Sequence, residues 1–121
     1  MMFKPLLIIA IVMLLLDSIY LSIFSEFFNN VVQQVQGSRI KFKLSGAILC
    51  YMLLIGGLYY FIISRNKSVK EAFILGIVIY GVYESTTYAL LDKWSPQAVL
   101  IDTLWGGILF ALTTAITYTF Y

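Results

Sequence analysis

Four stretches of predominantly apolar residues, about 3–24, 44–64, 69–91 and 96–119, follow one another along the chain with only short polar breaks between them. Each has about 20 residues or more, the length at which an α-helix crosses the roughly 30 Å hydrocarbon core of a bilayer. A water-soluble domain could not hide four such stretches in 121 residues, 61% of them hydrophobic and only 12% charged. Soluble domains carry about twice that charge. Lipid must therefore replace water around most of the surface, in keeping with a mean hydropathy of +0.93. The expected fold is an all-α integral membrane protein, a multi-pass four-transmembrane-helix bundle forming one domain.

Local signals set the expected boundaries. Lys4-Pro5 opens the first span, with proline suited to the first helical turn. The span carries Asp17 and lacks a small-x-small cleavage pattern, so it is expected to be retained as a helix. The second span closes on Tyr59, Tyr60 and Phe61, an aromatic run suited to the membrane–water interface, and Arg65-Asn66-Lys67 follows as a polar turn. Ser68-x-x-Glu71 reads as a capping box for the third helix, which Asp92-Lys93-Trp94 ends. Ser95-Pro96 supplies an N-cap and a first-turn proline for the fourth.

Between the first two spans, Phe24, Phe27, Phe28, Val31, Val32 and Val35 share one helical face, opposite Asn29, Asn30, Gln33 and Gln34. This pattern predicts an interfacial amphipathic helix between helices 1 and 2, ended by Gly37. Four spans place both termini on one side. Lys4, Arg65, Lys67 and Lys70 fall on that side, and Arg39, Lys41, Lys43 and Lys93 on the other. Only the free amino terminus tips the positive-inside count toward cytoplasmic termini.

Composition excludes several function classes. A net charge of +2 spread over eight scattered Lys and Arg residues is no nucleic-acid surface. The chain has no His, which removes the usual imidazole metal ligand and the commonest general base, and with them His-box desaturases and Ser-His hydrolases. There is no metal-ligand spacing and no Gly-rich phosphate cradle, so no metal site is expected, and the sequence points to no particular cofactor. The single cysteine, Cys50, lies within an apolar span and can form no intrachain disulfide.

Three of the six carboxylates, Asp17, Glu84 and Asp102, fall inside predicted spans. An acid near the bilayer centre costs about 2.5–3.5 kcal/mol on insertion scales, so each is by default a functional candidate turned toward the protein interior. Asp17 and Glu84 lie roughly 5–6 Å beyond the midpoints of helices that run in the same direction. Asp102 enters the same leaflet from the start of the fourth. Tyr20 stands one turn from Asp17, while Gly76, Tyr80, Tyr83, Glu84 and Thr87 form a stripe and Asp102, Trp105 and Gly106 another. Tyr51 lies at similar depth in the second helix. Asp17, Glu84 and Asp102 are the candidate catalytic residues, and Tyr20, Tyr51, Tyr80, Tyr83, Thr87, Trp105 and Gly106 the candidate ligand-binding ones. No Lys or Arg lies deep in any span, and only Lys43 and Lys93 could snorkel inward, most easily to Asp102, so a proton shared within the group, or a bound cation, is expected to balance the acids. The alternative is structural: the acids hydrogen-bond Tyr, Ser and Thr between helices that have no hydrophobic driving force to associate in lipid.

Asp17-x-x-Tyr20-Leu21, Tyr83-Glu84-x-x-Thr87 with the stripe from Gly76, and Asp102-x-x-Trp105-Gly106 together resemble the small membrane proteins grouped as domain of unknown function 2177, over essentially the whole chain. Tyr20 stands where tryptophan is usual in that family and Glu84 where aspartate is usual, both keeping the chemical type. The resemblance implies the fold and the set of polar positions, and no reaction. Three functions stay open: binding or modification of a lipid or other apolar small molecule, proton- or cation-coupled transport in which homo-oligomers would supply a pathway, and a structural membrane subunit. Membrane lipid, a small apolar ligand or a cation are the expected partners.

Overall fold

The computed structural model describes residues 3–38 and 43–120, and these form four long helices. They are α1 (Phe3–Gln36), α2 (Leu44–Leu58, extended by a π-helical turn over Tyr59–Ile63), α3 (Val69–Leu90) and α4 (Pro96–Phe120). In hydrocarbon no water can satisfy a free backbone group, so a spanning segment closes its own hydrogen bonds as a helix. All four helices are long and apolar enough to cross a membrane. Large apolar side chains such as Leu7, Leu53, Val82 and Leu90 lie exposed along their outer faces, where lipid would cover them.

The serine N-caps form as read, the Ser68–Glu71 box through its serine half. The Ser68 hydroxyl accepts from the Glu71 backbone N–H at 3.2 Å, and the Ser95 hydroxyl accepts from the N–H groups of Gln97 and Ala98 at 3.1 and 3.2 Å. Gly37, at φ +79°, closes α1 by donating its N–H to the Gln33 carbonyl at 2.8 Å, the left-handed C-cap that glycine adopts without steric cost. Asn66, at φ 53°, makes the turn between α2 and α3.

One expectation needs correction. The segment 24–35 is helical, but it is no separate helix: α1 runs unbroken from Phe3 to Gln36. No Gly or Pro interrupts the chain between Pro5 and Gly37, and a fall in hydropathy alone does not break the hydrogen-bond ladder. At 1.5 Å per residue this helix is about 50 Å long, well beyond what the hydrocarbon core requires. Arg39 and Lys41, used in the charge comparison, lie outside the described residues.

Packing is uneven. α3 and α4 form the tightest pair and α1 packs on α4, whereas α2 leans chiefly on α1 and on its own π-helical end. Small residues explain the tight pair: a Cβ on Gly76 would run into the Gly106 carbonyl, and one on Gly107 would meet Ile77 and Phe73 at 2.8 Å. The core centres on Ile9, Met13, Leu58, Ile63, Leu109 and Phe110, all almost fully buried. At one end the Tyr118 hydroxyl donates to the Lys67 carbonyl at 2.6 Å, tying the close of α4 to the α2–α3 turn. The three intramembrane acids gather toward the other end.

Candidate functional site

α1 presents Pro5, Ile9, Met13, Asp17 and Tyr20 on one buried stripe. The spacing of three to four residues that sends Ile9 and Met13 into the core therefore carries Asp17 inward as well, where it is 7% exposed. Its carboxylate joins three helices: the Tyr51 hydroxyl of α2 donates to Oδ2, and the Trp105 indole N–H of α4 donates to Oδ1 at 2.9 Å. Both oxygens are thus occupied by neutral donors. Such bonds satisfy a buried carboxylate without any basic residue.

Asp102 and Glu84 form a second centre beside the first. The Tyr20 hydroxyl donates to Asp102 Oδ1 at 3.1 Å, and the Tyr20 ring stacks on Trp105 at 4.6 Å with the planes 1° apart. That stacked pair is the bridge between the centres. Glu84, only 1% exposed, accepts the Trp94 indole N–H at 2.9 Å. Its carboxyl neighbours that of Asp102. The three acids do not close on a common point able to hold a metal ion among the described residues.

The remaining sequence candidates divide. Tyr80 packs against Gly106 and meets Phe110 edge-on at 6.5 Å. Gly106 therefore serves helix contact, giving the Tyr80 ring its room. Tyr83 is largely exposed, and the Thr87 hydroxyl donates to the Tyr83 carbonyl of its own helix at 2.8 Å and bonds none of the acids. Trp94, read from the sequence only as a helix-ending loop residue, is the partner of Glu84. Its signal was present: an indole N–H in the short loop after α3 can fold back over the last turns of the helix it follows.

Between α2 and the α3–α4 pair lies an open cleft of about 590 Å³, within the range of about 300–1,000 Å³ typical of small-molecule sites. Gly46, Leu49, Cys50 and Leu53 line it from α2, Ile79, Tyr80 and Tyr83 from α3, and Asp102 from α4. Among the described residues, Asp102 is the one charged residue in that lining.

A family model described as predicted membrane protein (DUF2177) matches residues 2–119. The chain belongs to this family. No curated protein and no solved structure matches the chain. In this DUF2177 protein the match runs through all four helices, and so through every residue of the two carboxyl centres.

Proposed function

We propose that this DUF2177 protein binds an apolar small molecule, a lipid or lipid-like compound, from within the membrane, with Asp102 meeting its polar end and Glu84 buried beside it. The observation that carries the reading is the asymmetry among the three acids. Asp17 has both oxygens bonded to Tyr51 and Trp105 and serves to join α1, α2 and α4. Asp102 instead lines the cleft between α2 and α3, which gives an apolar molecule a carboxyl group to bond. Convergent polar groups at the end of an apolar pocket are the usual form of a small-molecule site.

Mass spectrometry of the protein purified in mild detergent tests this. One class of apolar compound should remain bound in stoichiometric amount, and Glu84→Gln, which keeps the shape but removes the titratable group, should lower its retention while expression is unchanged. Retention of bulk lipid in membrane proportions, unaltered by Glu84→Gln, would contradict the reading and favour a structural subunit.

Proton- or cation-coupled transport is the second reading, favoured by the hydroxyls of Thr113, Thr114 and Thr117, fully buried in the other half of α4 without a protein hydrogen-bond partner among the described residues. Met13, Leu109 and Phe110, also fully buried, stand between them and Asp17. Transport therefore requires a second conformation that opens this apolar layer, and proton or cation flux into liposomes would reveal it. With either activity we place both termini in the cytoplasm; labelling a cysteine at Asn66 from the cytoplasmic side tests that.

A further inference from the structure

Resting on the binding reading above, we propose that the cleft between α2 and α3 takes a single-chain amphiphile whose head donates hydrogen bonds and bears no negative charge, a hydroxyl or an ammonium group. The chain would lie along Leu49 and Leu53 and the head would meet Asp102 beside Tyr80. Charge complementarity carries the argument. The cleft reaches one carboxyl group, Asp102, with Glu84 beside it and the Asp17 carboxylate in the adjoining centre.

Among the described residues no Lys or Arg lines the cleft; Lys43 stands one turn before Gly46, exposed at the cleft's mouth, where its ammonium reaches water. A phosphate, sulfate or carboxylate head at the depth of Asp102 would therefore sit against acids with no cation in the lining to offset the repulsion, and in low dielectric that repulsion is weakly screened. A donor head meets the opposite condition: Asp102 Oδ1 takes one bond from Tyr20, and a carboxyl oxygen has a further lone pair to offer. Anionic phospholipids are disfavoured as occupants by the same reasoning.

The occupant would enter sideways. α2 packs chiefly on α1, which leaves its α3-facing side, bearing Gly46, Cys50 and Leu53, free to line an open slot. Gly46 has no atom within 4 Å of the position its Cβ would take, so a large side chain there fills the slot without displacing its neighbours.

Native mass spectrometry of the full chain in detergent, with hexadecanol, hexadecylamine, hexadecyl methyl ether or hexadecyl sulfate added, separates the terms. The alcohol or the amine should bind one per chain, at least tenfold more tightly than the ether, which cannot donate, and the sulfate, which is anionic. Gly46→Phe should abolish that binding while leaving the thermal transition in place. Asp102→Asn should bring the sulfate to within about threefold of the alcohol. Equal binding of all four compounds by the native protein would overturn the head-group assignment and leave the apolar-ligand reading standing. Binding of none would overturn both, and binding that survives Gly46→Phe would place the site elsewhere.

Discussion

The α3–α4 pair and α2 are both apolar helices of similar depth, yet they are held by different means. α3 and α4 touch backbone to backbone, because Gly76 faces Gly106 and Gly107 where any side chain would collide. α2 also carries glycines, Gly46, Gly56 and Gly57, but no atom lies within 4 Å of where their Cβ atoms would stand. Its polar link to the rest of the membrane-embedded site is the Tyr51 bond to Asp17. Glycine thus has two meanings in one small protein: close approach in the first pair, open space beside the cleft in the second. In lipid, where burying apolar surface brings little gain, close packing of small residues and interhelical hydrogen bonds decide which helices hold firmly.

The largest effect should come from the first kind of glycine. Gly76→Ala places a methyl against the Gly106 carbonyl, and backbone cannot yield as a flexible side chain can. The loss should reach or exceed the upper end of the ~1–3 kcal/mol typical of overpacking. Size-exclusion chromatography in detergent should give little or no monodisperse protein. A Gly76→Ala protein with a native thermal transition would mean that α3 and α4 are no closer than ordinary helices.

Such contacts were only partly legible in the sequence. The Gly76 stripe and the Trp105-Gly106 pair marked small residues at the right depth, and Asp17 with Tyr20 one turn on marked the inward face of α1. Which glycine meets which depends on helix rotation, and apolar residues on every side of a membrane helix fix rotation poorly. For the same reason Tyr51 could be placed by depth but not assigned to Asp17 rather than to Asp102. Trp94 escaped because the sequence marks it only as part of the loop that ends the third helix, and its bond to Glu84 needs the tight α3–α4 hairpin. The length of α1 was misjudged because hydropathy reports where lipid ends, whereas helix continuity depends on Gly and Pro.

An intermediate effect is expected at the link that holds α2. Tyr51→Phe removes one hydroxyl and leaves Asp17 Oδ2 without its donor, at a cost of about 1–3 kcal/mol for an unmet buried acceptor. The loss should be local: hydrogen exchange should quicken through α2, with α3 and α4 keeping their protection. Uniform acceleration in all four helices would mean that α2 is as integral to the bundle as the glycine-packed pair. Asp17→Asn should be milder than Tyr51→Phe, because the amide can still accept from Trp105 and donate to the Tyr51 oxygen.

The smallest effect belongs to the second kind of glycine. Gly56 lies in α2, exposed, with no atom within 4 Å of its Cβ position, so Gly56→Ala adds a methyl that meets only lipid. Alanine exceeds glycine in helix propensity by about 1 kcal/mol in aqueous hosts, and part of that gain should remain here because the substitution also restricts the unfolded chain. The expected outcome is a thermal transition equal to or slightly above that of the native protein, against the failure expected for Gly76→Ala. The same chemical change at two positions then reads directly on the contrast between the helices. A clear loss at Gly56 would show that another surface, such as a second copy of the chain, packs against α2 in the membrane. The slot beside α2 would then be reached from a protein interface and not from lipid.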